Sequence, residues 1–218
     1  MIGTPEGRVV GVHVGVPRTI QPEHGRAWTS AVFKDPVAGP VVVTPDGLEG
    51  DEQADRRVHG GPDKAVCAYP ALHYGSWERR LGLGLGPGAF GENITVDGLD
   101  EADVCIGDRH RLGTALVEVS QPRSPCHKIA RRWEVHDLAA QFQGSGWTGW
   151  YWRVIAGGTV AVGHGVRLVD RPHPGLTVAE VNVARWHAPT TPAMTARLAA
   201  TAELADGWRR RFAAPSAP

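Results

Sequence analysis

No apolar run in this sequence is long enough to span a bilayer, so a membrane-spanning helix is not expected. The opening residues, Met1-Ile2-Gly3-Thr4-Pro5-Glu6, lack the charged region and following apolar stretch of a secretory signal. The expected compartment is the cytoplasm, where thiols stay reduced. Neither sign of charge is in excess: 23 Lys and Arg balance 23 Asp and Glu, and the formal net charge is zero. Without a basic surplus there is nothing to hold phosphates non-specifically, and neither a nucleic acid nor a membrane is an expected partner. Cysteine is scarce. Cys67, Cys105 and Cys126 are odd in number and far apart, and no two form a CxxC pair. That argues against a disulfide framework, a structural zinc knuckle and an iron–sulfur cluster. Haem motifs and flavin fingerprints are missing as well.

Glycine and proline, by contrast, are plentiful, at 28 and 17 residues. They favour many turns between short strands over long helices. Hydrophobic content of 42% and charged content of 21% are ordinary for a globular protein. Alternating apolar residues, or runs rich in β-branched and aromatic ones, predict strands at 8–16, 28–34, 41–43, 92–96, 114–119, 150–155, 160–163 and 166–169. The apolar run 65–69 reads as a buried strand, which makes Cys67 a core residue. Cys105 falls in a tight turn and reads as structural. Helices are expected at 70–81, with Leu72, Trp77 and Leu81 on one face, and at 135–143. Residues 86–91 match GxGxxG literally. Pro87 interrupts the match and a strand follows it, so a flexible loop fits better than a dinucleotide site. Trp147, Trp150 and Trp152 are close in sequence; they either line a pocket or belong to the core, and core is the commoner outcome.

Beyond the break at 171–175 the period changes from strand-like to helical. Three short helices are expected at 178–186, 194–200 and 203–212. The chain therefore divides into a mainly β body at 5–172, a small helical unit at 173–213 and a frayed tail at 214–218.

The segment with the most chemistry is Ser120-Gln121-Pro122-Arg123-Ser124-Pro125-Cys126-His127-Lys128. It follows a strand, its two prolines end any strand ladder, and a helical stretch from Lys128 comes next. Cys126 is thus expected at a strand end and near a helix N-terminus, with Arg123, His127 and Lys128 beside it. Such surroundings favour a thiolate, as a nucleophile or a soft metal ligand. The alternative is a small residue that only packs.

A second candidate is the stretch 50–64, rich in Gly, Asp, Arg and His. His59-Gly60-Gly61 followed by Lys64 reads as a binding loop, since glycine lets backbone approach a ligand closely. Asp51 and Asp55 read as loop caps or partners for Arg56 and Arg57. Lys34 is placed at a strand end before Asp35-Pro36. Arg153, inside an apolar strand, needs either a carboxylate or an anionic ligand.

Taken together, FKDPV around Lys34, GDEQADRRVHGGPDKAV from Gly50, FGENITV from Phe90, IGD at 106–108, SQPRSPC ending at Cys126 and GWYWRV around Arg153 resemble the MOSC domain family, and within it the YiiM-like subgroup. The motifs span nearly the whole chain in the family's order. The resemblance implies a mainly β, barrel-like fold of mixed strands with short helices, and a C-terminal three-helix appendage. It also implies a molybdenum cofactor, a molybdopterin bearing a phosphate. The family's molybdenum-ligating cysteine matches Cys126, which makes Cys126 both the metal ligand and the catalytic residue. Lys34, His59, Lys64, Arg123 and Arg153 are then candidates for the cofactor phosphate, and Asn93 for the pterin edge. The implied activity is reduction of N-hydroxylated bases, hydroxylamines or amidoximes. With no haem, flavin or iron–sulfur site expected in this chain, electrons would come from a separate reductase. Two other readings stay open: a non-catalytic carrier of the cofactor, and sulfur transfer through a Cys126 persulfide. A homodimer is also left open.

Overall fold

The computed structural model describes residues 6–187 and 189–214. Its strands, in chain order, are β1 (Gly7–Val14), β2 (Arg18–Ile20), β3 (Trp28–Ser30), β4 (Asp35–Pro36), β5 (Val41–Thr44), β6 (Gly47–Leu48), β7 (Val66–Pro70), β8 (Ile94–Asp97), β9 (Arg109–Leu112), β10 (Ala115–Pro122), β11 (Trp150–Ala156), β12 (Gly158–Val160) and β13 (Gly165–Asp170). The helices are α1 (Arg56–His59), α2 (Tyr74–Leu81), α3 (His127–Trp133), α4 (Leu138–Ser145), α5 (Val178–Trp186), α6 (Pro192–Ala200) and α7 (Asp206–Ala213).

Seven strands close a barrel in the order β13-β9-β10-β11-β7-β8-β1, with β1 pairing back to β13 and β4 added beside β1. Closure removes the exposed edges that an open sheet would leave. All neighbours in the ring are antiparallel except β7 and β8. A parallel pair needs a long crossover, and here a 3₁₀ turn, α2 and the Gly-rich segment supply it. The mixed, mainly β barrel inferred from the motifs is the fold observed.

Two hydrophobic clusters form the interior. The barrel is filled from Val9, Val12, Val66, Ala68, Ile94, Val96, Leu112, Val117, Val119, Trp150, Trp152 and Val166. Trp150 and Trp152 meet edge to face there, 5.6 Å apart, so these two are core. The second cluster, built on Tyr69, Tyr74, Trp77, Phe90, Ile129, Leu138 and Phe142, lies among α2, α3 and α4; Trp147 packs against it. This cluster seats α3, the helix that follows Cys126. Leu198, Leu204, Ala205 and Trp208 from the C-terminal helices join the barrel cluster. Those helices are therefore packed onto the barrel.

Several expected elements are shorter or shifted. The first strand stops at Val14, because the Gly15 N–H turns to the Asp51 carboxylate at 2.8 Å. The strand expected at 28–34 stops at Ser30, whose Oγ accepts from the Val32 N–H at 3.1 Å and bends the chain. Pro70 closes β7 instead of opening a helix; a 3₁₀ turn (Ala71–His73) intervenes, and Leu72 is exposed. The helix expected at 135–143 is α4, displaced to 138–145. The segment 86–91 is a loop leading to a strand, as expected, but one held in place. Buried Glu92 accepts from the Gly88 N–H at 2.7 Å and the Phe90 N–H at 3.2 Å, and Phe90 is fully buried. The final helix begins at Asp206, after a turn at 201–204. Of the tail expected at 214–218, residues 215–218 lie outside the described residues, as does Thr4-Pro5 at the start.

Candidate functional site

A β-strand alternates its faces, and this sets the site's floor. In β7, Val66 and Ala68 point into the barrel, so Cys67 points out. Its cross-strand partner in β11 is Tyr151, outward-facing between Trp150 and Trp152. Three segments wall this outer patch: residues 30–34, residues 51–64 and the turn 123–128. They enclose a cavity of about 400 Å³ bordered by Lys34, His59, Lys64, Cys67, Asn93, Arg123, Cys126 and Tyr151. Six of the seven expected site residues meet there. Arg153 does not.

Cys126 is the N-cap of α3, in extended backbone, and is partly exposed. Prolines 122 and 125 end β10 and orient the turn, as their sequence position predicts. The Cys126 Sγ lies 3.8 Å from His127 Nδ1. Of the three cysteines, Cys126 is the accessible one; Cys105 is buried. Cys67 is buried too, but at the cavity wall, where burial pushes its thiol pKa up. Cys67 is buried, as expected of a core residue, and its side of β7 also borders the cavity: every residue of the strand is buried, yet its two faces meet different surroundings.

Arg123 is the most unusual side chain of the site. It is only 6% exposed. One terminal nitrogen, Nη2, donates to the Phe90 carbonyl, and its backbone N–H donates to Gly149 O at 3.0 Å. The other, Nη1, is buried without a hydrogen-bond partner. A guanidinium stays charged at any relevant pH, and an unmet donor of a buried charge is costly. The site thus contains a cation with a donor to spare.

Lys64 donates to the Val58 carbonyl at 2.5 Å, and burial lowers its pKa. Among the described residues no carboxylate lies within salt-bridge distance of it. His59 is held below its ordinary pKa first by burial, then by the nearby charges of Lys64 and Arg123. Burial, Lys128 and Arg131 do the same to His127. Both imidazoles are therefore neutral at pH 7 in a positively charged surround.

Lys34 is committed elsewhere. It pairs with Asp51, and both side chains are almost fully buried. Asn93 is also engaged: its Oδ1 accepts from the Cys67 N–H at 3.0 Å and its Nδ2 donates to His13 O at 3.2 Å. It ties β1 to β7 behind the cavity. Asp55 caps α1 through the Arg57 N–H at 3.1 Å and pairs with the Arg57 side chain.

Arg153 finds its partners in carboxylates. Nε donates to Asp63 at 2.9 Å, and Nη1 to Glu118 at 2.8 Å. It braces the 3₁₀ turn Pro62–Lys64, which carries Lys64, against the barrel. The paired glycines before that turn shape the chain: Gly61 has φ 93°, and a Cβ on Gly60 would lie 2.7 Å from Arg56 O. Sequence reading missed Tyr151 and Cys67 as site residues. Strict alternation from Trp150 and Trp152 turns Tyr151 outward, and strand pairing sets Cys67 beside it; that this face floors a cavity follows only from the closed barrel.

Residues 55–167 match the MOSC domain family. The chain is 44% identical to protein YiiM of Escherichia coli over 185 residues, 83% of this chain and 82% of that protein. It is 35% identical over 166 residues to a protein named reductase from Gibberella moniliformis, covering 72% of this chain but 28% of the fungal protein. The crystal structure of YiiM from Geobacillus stearothermophilus superposes with a TM-score of 0.81 at 39% identity, covering 95% of this chain and 97% of that one.

Proposed function

This chain belongs to the MOSC domain family, and from that premise we propose that it binds a molybdenum cofactor and reduces N-hydroxylated compounds to amines. One observation carries the reading. A single cavity is lined by an accessible thiol, Cys126, and by Arg123, a cation whose buried Nη1 has no partner within the protein. A phosphate-bearing, sulfur-liganded metal cofactor needs both kinds of group.

In this reading Cys126 is the protein's ligand to molybdenum. Arg123 holds the phosphate through its guanidinium. Lys34, paired with Asp51, and Asn93, bonded to backbone, set the shape of the wall. Arg153 keeps the Lys64 turn in place through Asp63. The cofactor, when bound, supplies the oxygen-accepting, two-electron chemistry. Converting N–OH to N–H also takes two protons and releases water. Neutral His59 and His127, both on the cavity wall, can each hold one proton and pass it on. Electrons come from a separate reductase.

The test is to express the full chain in cells that make the cofactor, measure molybdenum and pterin, and assay a hydroxylaminopurine with a reducing dye. Bound molybdenum with turnover is expected. Molybdenum without turnover on any N-hydroxylated compound would instead leave a carrier.

A further inference from the structure

A second cavity, of about 560 Å³, lies on the other side of Cys126. It shares Val58, His59, Lys64, Ser124, Cys126, His127 and Tyr151 with the first, so the two chambers meet at the thiol. Its outer wall comes from the C-terminal unit: Asp206, Arg210 and Arg211 of α7. That helix is firmly placed. The Ala205 N–H donates to Ser120 O at 2.9 Å, Trp208 is 6% exposed, and Ser120 Oγ donates to Asp63 O at 2.6 Å. One backbone node therefore joins α7, the strand leading to Cys126 and the Lys64 turn.

The carboxylates around this chamber are already taken. Asp63 pairs with Arg153, and Asp206 with Arg209 and Arg210. Among the described residues, Lys64 and Arg211 have no carboxylate within salt-bridge distance. Two cations without carboxylate partners that line one chamber suit an anionic ligand.

We propose that this second chamber is the substrate side of the site, and that Arg211 with Lys64 selects substrates carrying a phosphate: N-hydroxylated nucleotides over free bases. This rests on the reductase reading above. The C-terminal helices are then a specificity wall. A phosphate could also belong to the cofactor itself, so the experiment separates the two sources.

The full-length protein is titrated by calorimetry with adenosine 5′-monophosphate, the product form of such a nucleotide, and with adenosine. The nucleotide should bind about tenfold tighter, the effect of one well-placed charge contact. Arg211→Glu should erase that preference, whereas Arg79→Glu, on the exposed side of α2, should keep it. Equal affinity for the two ligands in the unmodified protein would overturn the proposal, as would loss of the preference in both variants. Pterin content of the holoprotein is measured alongside. If Arg211→Glu loses pterin, the chamber holds the cofactor's phosphate and the substrate assignment falls. With the cofactor retained, the ratio of kcat/KM for the hydroxylaminopurine nucleotide over its free base should drop about tenfold in Arg211→Glu. Nucleotide preference without turnover of any substrate would remove the reductase reading and leave the anion site standing.

Discussion

At the scale of single residues, charge partners decided what the chain could show in advance. Arg153 interrupts an apolar strand and Arg123 precedes the Cys126 turn, and both are candidates for a cofactor phosphate. Only the fold reveals that Arg153 faces Glu118 across a strand pair and reaches Asp63, while Arg123 keeps a donor unmet. Partners distant in sequence cannot be read from the neighbourhood of either arginine. Buried histidines make a different prediction. His110 sits in the barrel beside Trp152, and burial lowers its pKa from the ordinary 6.5 to about 4. Between those values the unfolded chain binds a proton that the folded one refuses. Stability therefore falls as pH drops from about 6.5 toward 4, and levels off below. From pH 7 to pH 5 the loss from this residue is roughly 2 kcal/mol. His13 and His59, also lowered, add in the same direction. Urea unfolding at pH 7 and pH 5 should show this acid loss, and His110→Leu should show a smaller one. An identical loss in the variant would mean that His110 is not the group involved.

At the scale of elements, strands with clear alternation were legible: 8–16, 41–43, 114–119, 150–155 and 166–169 all correspond to observed strands, within a few residues. Ends were less legible, because side chains from elsewhere set them; Asp51 ends the first strand and Ser30 the third. The rigidity of the Gly-rich segment 86–91 was missed for a similar reason. Its glycines suggested mobility, yet Glu92 gathers its N–H groups together with the hydroxyls of Tyr74 and Thr95. A carboxylate accepting from four donors in a fully buried place is a structural hub. Glu92→Ala would strand those donors and should destabilise the protein by about 3 kcal/mol or more. Glu92→Gln, which keeps one accepting oxygen, should cost less. Thermal melts of both variants would check this, and Glu92→Ala melting close to the unmodified protein would refute the hub.

At the scale of the whole molecule, the fold family and the motifs were readable, but the assembly of the site was not. Cys126, His59, Lys64 and Arg123 carried visible chemistry. Cys67 and Tyr151 join them only because barrel closure makes the outer face of β7 and β11 the floor of a cavity. The second chamber depends on α7 docking onto Ser120, which helical periodicity alone could not indicate. The central claim is that Cys126 is the protein's molybdenum ligand within that assembly. Cys126→Ser keeps nearly the same size while exchanging a soft thiol for a hard, protonated hydroxyl. The measurement is molybdenum content and dye-coupled turnover of Cys126→Ser beside Cys105→Ser, with folding followed by circular dichroism. A folded Cys126→Ser protein that has lost at least about 100-fold in turnover, a barrier change near 3 kcal/mol, is the predicted result, with Cys105→Ser active. Full turnover by Cys126→Ser with molybdenum bound would contradict the account.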